Sequence, residues 1–341
     1  MYREAELAHW MKNPGKKLLP AQVDIDLTNI CNQDCYYCNS ATHRENSPVQ
    51  KDYKEYITLL DKISSWRAHS PDSYGTTHTI TYPGGGEPTI LTGYENVIEH
   101  TIDLGFLTSL TTNGTKLHRL LHSVKIEKLE KIAWIGVDID AGNEDLYEEI
   151  RKSLGGASWF KQVKQNVKLA SSMGLNVDLK CLVNPYNHNE QAVKDLFKYA
   201  KETGARSLYF RPVIYNNKSH IIDNDFKSWC KVHSDRTGVE YWLNESKAES
   251  RKYYKCHQMY HFPVFCADGY IYLCCDNKGV PEFALCHWDK LDFRDSWMNT
   301  RHHEIYNRTM VQMCKPCRPN HTNNKIQEIM DNPQLIEVLY L

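Results

Sequence analysis

Between Val23 and Val213 the chain carries six short strand patterns alternating with stretches of helical spacing. Strands joined by helical crossovers pair in parallel, so this rhythm predicts an α/β fold built on a parallel sheet. The strand patterns lie at 23–29, 77–83, 106–114, 131–140, 175–184 and 207–213. The helical patterns lie at 52–69, 93–104, 143–152, 158–173 and 188–202. Four strands are not uniformly apolar. One face holds Asp24 and Asp26, then Trp134, Gly136, Asp138 and Asp140, then Asp178, Lys180, Leu182 and Asn184, then Tyr209 and Arg211. The other holds Val23, Ile25, Leu27, Ile135, Val137, Ile139, Val177, Leu179, Cys181, Val183, Leu208 and Phe210. A flat parallel sheet buries both faces in apolar residues. A polar face repeated over four strands predicts a curved sheet with helices outside, a polar interior and a site at the carboxyl ends of the strands.

Four segments are expected: a helical extension at 1–22, the barrel at 23–221, a cysteine-dense module at 222–324, and a tail at 325–341. Past residue 222 the strands shorten and the strand–helix rhythm is expected to end. Lys+Arg is 41 and Asp+Glu is 42, giving a net charge of −1. That balance argues against a sequence-independent nucleic-acid binder, which needs excess cations. Mean hydropathy is −0.59 and no apolar run approaches a membrane span. The charged stretch 1–17 has no signal-peptide core, so a cytoplasmic chain is expected. Twelve cysteines in a reducing compartment point to metal or redox chemistry rather than disulfides.

Seven of them form two groups. Cys31, Cys35 and Cys38 follow the first strand with C-x3-C-x2-C spacing. Three thiolates on one loop suit a 4Fe–4S cluster that leaves one iron open, since such clusters ordinarily take four. Zinc competes, but a closed structural zinc site needs four ligands. Cys256 and Cys274 bracket a hairpin pattern around Gly269, and Cys314 and Cys317 follow as C-x2-C. Spacing alone prefers Cys274 over Cys275. Four thiolates in two separated pairs close a tetrahedral metal site; a zinc ribbon is open as the alternative.

C-x3-C-x2-C after the first strand of such a chain resembles the radical SAM superfamily over about residues 20–215. The resemblance implies a partial six-unit, TIM-like barrel. It also implies S-adenosylmethionine chelated at the open iron and its cleavage to a 5′-deoxyadenosyl radical. Position by position, it places Tyr37 near adenine and Gly85, Gly86, Glu87 and Pro88 at the methionine amino group. Asn113 stands in the third-strand segment. Asp138 and Asp140 stand at the fourth-strand Ser-x-Asp-like site, where Asp replaces Ser. Lys180 and Arg211 are candidates for the methionine carboxylate, or members of structural salt bridges with Asp178 or Asp140. The second cysteine group resembles the SPASM and twitch extensions of that family, which hold auxiliary 4Fe–4S clusters. No cysteine lies in 318–324, so one auxiliary cluster, the twitch type, fits better than two. An external one-electron donor of the flavodoxin or ferredoxin type is implied as partner.

The resemblance leads to a radical oxidoreductase acting on a small molecule (aminocyclitol or carbohydrate) or a peptide, with the auxiliary cluster accepting an electron. The residues before Val23 are too few for a fused peptide-recognition domain. The inward aspartates are expected to tolerate a cationic substrate. A radical epimerase is the alternative, with a spare thiol returning hydrogen. Cys230, Cys266, Cys275 and Cys286 are the candidates, and Asp138 and Asp140 the candidate catalytic carboxylates. Cys181 is expected to pack, and His302 and His303 to lie on an exposed helix. A zinc-binding interaction protein is the non-enzymatic alternative.

Overall fold

The computed structural model describes residues 7, 10–11, 16–67, 73–215, 218–219, 222–246, 249–289, 293–317, 319–332 and 334. Most of the expected 1–22 helix and the apolar end of the tail, 335–341, lie outside them.

The six expected strands are β1 (Gln22–Ile25), β2 (Thr79–Tyr82), β3 (Leu107–Thr112), β4 (Ile132–Asp138), β5 (Val177–Val183) and β6 (Ser207–Pro212). All pair in parallel, in sequence order. Between them run α1 (Ala41–Asn46), α2 (Tyr53–Ser64), α3 (Tyr94–Asp103), α4 (Leu117–Ser123), α5 (Glu144–Arg151), α6 (Phe160–Ser172) and α7 (Glu190–Thr203). Local chemistry sets their ends. Asp52 and Glu55 form a reciprocal cap on α2, which satisfies N–H groups otherwise left orphaned. Asn189 caps α7, and left-handed Gly204 ends it.

The apolar face predicted from alternation is the core. Val23, Ile25, Leu27, Ile135, Val137, Ile139, Val177, Leu179, Cys181, Val183, Leu208 and Phe210 all join one buried cluster with the helices. Within it α2 contributes Tyr56, Leu59, Leu60 and Ile63. Each such aliphatic side chain contributes about 1.5–3 kcal/mol by leaving water.

The rhythm does not stop at residue 222. Helix α8 (Asn224–Thr237), capped by Asp223, leads to β7 (Glu240–Leu243), which pairs in parallel with β6. At the other edge β8 (Val264–Phe265) pairs in parallel with β1, and β9 (Tyr270–Tyr272) and β10 (Ala284–His287) follow antiparallel. The result is one open ten-stranded sheet ordered β7-β6-β5-β4-β3-β2-β1-β8-β9-β10, a partial barrel. The expected hairpin between Cys256 and Cys274 is thus a continuation of the barrel sheet. Helices α9 (Thr300–Arg308) and α10 (Asn320–Asp331) follow.

His302 corrects its expected exposure. It is 0 % exposed, stacked 4.6 Å from Tyr260 and edge-on to Trp297. His303 is exposed. The α9 face at 302 and 305 is the buried one, and a histidine with both ring nitrogens bonded sits there like an aromatic.

Candidate functional site

The Cys31–Cys38 loop leaves the carboxyl end of β1 and is strapped to its neighbours. Gly86 N–H donates to the Thr28 carbonyl at 2.6 Å, and Glu87 N–H to that of Ile30 at 2.9 Å. Asn113 Nδ2 donates to Asn32 Oδ1 at 2.8 Å. Asp34 and Tyr36 N–H groups reach the carbonyls of Lys152 and Ile150, both at 2.9 Å. The loop is therefore fixed against the ends of β2, β3 and α5, where a parallel barrel places its chemistry.

The glycine run makes this crossing possible. A Cβ on Gly86 would lie 1.8 Å from the Ile30 carbonyl oxygen. One on Gly85, at φ +120°, would lie 2.8 Å from Asp26 Oδ2. The Glu87 side chain is buried. Its carboxylate accepts from Thr89 N–H and Oγ1, Thr112 Oγ1 and Asn113 N–H, at 2.5 to 3.0 Å. Burial raises its pKa, and those donors pull the other way. The sequence reading offered an ammonium either this carboxylate or nearby backbone carbonyls; the carboxylate is engaged within the protein, where it ties β2 to β3, and Pro88 opens the short turn that follows. The Asn113 side chain is likewise taken up by Asn32 and by Thr115, at 2.8–3.0 Å.

Cys31, Cys35 and Cys38 are all half-buried. As a free thiol Cys35 is pushed up to about 12 by burial, with Arg151 opposing. Cys31 rises for the same reason, with Glu87 adding to it. Two cations border the loop. Arg44 donates to Cys38 Sγ at 3.6 Å and to the Gln33 carbonyl at 3.2 Å. Arg151 is buried, donates to Gln33 Oε1 through two nitrogens at 3.1 and 3.2 Å, and pairs with Asp140 at 2.8 Å. Tyr37 is half-buried, 4.8 Å from Tyr36 ring to ring.

The inner wall is charge-balanced. Lys180 Nζ lies 3.2 Å from Asp138 Oδ1, not beside Asp178 or Asp140. Burial works to raise the pKa of Asp138, but Lys180, Arg151 and Arg211 outweigh it and hold it below the usual range. Arg211 also lies over the Tyr209 ring at 5.9 Å. Asp140 is left-handed at φ 59°; it accepts from Leu182 N–H at 2.6 Å and pairs with Arg151. It is thus a tie between β4, β5 and α5. Asp178 pairs with Arg206, and Asp26 with Lys278 at 2.5 Å. Asp24 accepts from Gln22 at 2.7 Å. Four of the five inward aspartates therefore have a cation already, so their charge alone does not select a cationic substrate.

A second site lies against β1. A cavity of about 260 Å³ is lined by Cys256, Cys274, Cys275, Cys314 and Cys317, together with Gln22 and Asp24 of β1. Burial pushes Cys256 up to about 12, and Cys317, Cys314 and Cys275 add to it. Asn323 Nδ2 donates to Cys256 Sγ at 3.6 Å and Asn277 Nδ2 to Cys274 Sγ at 3.4 Å. Among the described residues, no three His, Cys, Asp or Glu side chains are drawn around one ion-sized point; these thiols stand around a volume. Both Cys274 and Cys275 face it, so the preference for Cys274 rests on spacing.

The remaining cysteines separate. Cys181 and Cys230 are packed in the outer core, and Cys286 is half-buried on β10. Cys266 is fully buried beyond the end of β8 and donates to Asp26 Oδ2 at 3.6 Å. Asp26 Oδ1 is buried with no hydrogen-bond partner.

Arg44, Arg151, Gln33 and Lys278 were not singled out from sequence. A signal existed for Arg151. It shares the buried face of α5 with Tyr147 and Ile150, and a cation on an apolar helix face implies buried anions opposite it. Lys278 had none, because its partner is 252 residues away.

The profile of the Radical SAM superfamily matches residues 25–200. A probable GTP 3′,8-cyclase of Saccharolobus solfataricus is 29 % identical over 168 residues, 49 % of this chain and 49 % of that protein. An uncharacterized Methanocaldococcus jannaschii protein is 26 % identical over 204 residues, 59 % of this chain and 60 % of its own length. The chain thus spans about half to three-fifths of these relatives. Among solved structures, Streptococcus suis SuiB bound to precursor peptide SuiA superposes with TM-score 0.65 at 15 % identity, covering 94 % of this chain and 73 % of that one. Native anSMEcpe with bound AdoMet gives 0.57 at 16 % identity, covering 94 % and 99 %.

Proposed function

The chain belongs to the radical SAM superfamily, and from that premise we propose that it is an oxidoreductase with two iron–sulfur centres, acting on a peptide or small-molecule substrate. Cys31, Cys35 and Cys38 would hold the first centre. Their fit rests on three half-buried thiols on one strapped loop, with Arg44 and Arg151 beside it to offset the negative charge of bound thiolates. When bound, a 4Fe–4S cluster with three protein thiolates leaves an iron for S-adenosylmethionine and supplies the electron that releases the 5′-deoxyadenosyl radical. Around it, Tyr37 offers an aromatic edge, the Gly85–Gly86 backbone passes close to the loop, and Asp138, Lys180 and Arg211 present paired charges from β4, β5 and β6. Lys180 and Arg211 are the cations on that wall that suit a carboxylate.

The oxidative reading is carried by one observation: five thiols from three separate stretches of chain meet at one cavity on the β1 edge. Cys256, Cys274, Cys314 and Cys317 would hold an auxiliary 4Fe–4S cluster of the twitch type. Thiols set around a volume of this size suit a cluster better than one zinc, whose sulfurs all sit about 2.3 Å from a single point. A centre closed by four thiolates has no iron for substrate and serves as a one-electron acceptor. Both structural neighbours carry peptides in other crystals or in this one, SuiA in SuiB and Kp18Cys in anSMEcpe, which favours a peptide substrate over an aminocyclitol or carbohydrate. The test is mass spectrometry of reduced, reconstituted protein with candidate peptides. A product two mass units lighter supports oxidation. Unchanged mass with one deuterium from heavy water supports epimerisation instead and points to Cys266, the spare thiol bonded to the inner-face Asp26.

A further inference from the structure

The pattern H-x-x-Y occurs twice in the chain, from His257 to Tyr260 and from His303 to Tyr306. The first forms the short turn after Cys256, and the second lies on α9. The two pack together and exchange partners. Tyr306 Oη lies 3.2 Å from His257 Nδ1, and Tyr260 Oη lies 2.9 Å from His303 Nδ1. Their phenol rings are 4.9 Å apart, centre to centre. The hydrogen-bond network assigns the His257 tautomer. Gln327 Nε2 donates to Asp331 at 3.0 Å, which turns Gln327 Oε1 toward His257 Nε2 at 3.2 Å. Nε2 therefore carries the hydrogen, and Nδ1 is left to accept from Tyr306. His257 and Tyr260 are buried, whereas His303 is exposed. The arrangement thus begins one residue from a cavity thiol and ends at solvent.

We propose that Tyr306 and Tyr260 are a redox-active pair that carries an oxidising hole away from the second thiol site to solvent. The proposal rests on the auxiliary-cluster reading. A buried phenol oxidised to a neutral radical must lose its proton with the electron, because the phenol radical cation is a strong acid. Each phenol here has a histidine placed to take that proton. The oxidant is hydroxyl radical, formed where hydrogen peroxide meets iron held by the cavity thiols. Tyr306 gives it an electron, making hydroxide, and the phenol proton passes to His257 Nδ1. Tyr260 then re-reduces Tyr306: the electron crosses between the rings, His257 returns its proton, and the Tyr260 proton goes to His303. His303 sheds it to water, where it neutralises the hydroxide. The sum is hydroxyl radical and phenol giving water and a tyrosyl radical. Lys255 lies 5.9 Å over the Tyr306 ring, and a cation there opposes electron loss. The hole therefore runs outward and rests on Tyr260, where a small one-electron reductant such as ascorbate fills it. The cavity thiols are spared the irreversible step to sulfinic acid.

The test mixes reconstituted, reductant-free full-length protein with hydrogen peroxide and freezes it for electron paramagnetic resonance. Wild type should show an organic radical whose hyperfine lines collapse in protein grown on ring-deuterated tyrosine. Tyr260→Phe/Tyr306→Phe keeps both rings and should lose that signal. Its cavity cysteines should carry more sulfinic acid than wild type by mass spectrometry. Before peroxide, its iron content and dithionite-driven 5′-deoxyadenosine yield should match wild type. Tyr260→Phe alone should leave the radical on Tyr306, with an altered lineshape that ascorbate clears more slowly. A wild type without a radical, or a double variant with as strong a signal, overturns the pair. So does a signal unmoved by deuterated tyrosine, as from Trp10, whose ring lies 5.2 Å from that of Tyr260. Iron of only one cluster per chain overturns the auxiliary-cluster reading beneath it, a distinct result visible before peroxide is added.

Discussion

Lys278 reaches from the segment after Cys275 to Asp26 at the end of β1, and neither side chain has much contact with water (11 % and 0 %). The pair joins the two cysteine sites through one strand. Removing one member strands a buried charge, which costs about 3–5 kcal/mol, whereas removing both is far milder. Lys278→Met should therefore lower the urea-unfolding free energy by about that amount, and Asp26→Asn/Lys278→Met should recover most of it. His302 sets a pH dependence at the same scale. Its Nδ1 accepts from Met298 N–H and its Nε2 donates to the Met259 carbonyl, both at 3.1 Å, a pattern only the neutral ring can make. Burial, then His303, lowers its pKa to about 3. The unfolded chain takes up that proton near pH 6.5, so stability is intact above this value and declines as pH falls toward 3, by up to about 1.4 kcal/mol per unit. His302→Gln should lose about 1 kcal/mol less than wild type between pH 6.5 and 5.5, measured by urea midpoints.

Between elements, the crossing of the Gly84–Glu87 turn over the cysteine loop is the tightest join at the first site. Gly86→Ala would drive its methyl into the Ile30 backbone, which cannot swing away as a side chain can. That variant should lose the chromophore near 400 nm on reconstitution and unfold at least about 3 kcal/mol more easily. This crossing also shows how much the sequence disclosed. Alternation named the inner and outer faces of β1, β4, β5 and β6, because a two-residue period is written locally. The GGGEP stretch was legible as a turn at the end of β2, but the inward setting of its carboxylate was not, since two of its four donors lie 25 and 26 positions away. The join of β8 to β1 was illegible for the same reason. A two-residue strand carries no period, and its partner lies over two hundred residues earlier.

Across the whole molecule, the two thiol sites share one sheet but should load independently. Anaerobically reconstituted protein should carry about eight iron and eight sulfide, and Cys314→Ala/Cys317→Ala about four of each. That double variant should still release 5′-deoxyadenosine while losing the oxidised product. Four iron in wild type would reduce the second site to a structural one. The first site is the account's foundation, and its most direct measurement is 5′-deoxyadenosine by liquid chromatography and mass spectrometry, in reduced protein supplied with S-adenosylmethionine. Wild type should form it and Cys35→Ala should form none; a Cys35→Ala chain that releases as much as wild type would contradict the assignment of Cys31, Cys35 and Cys38.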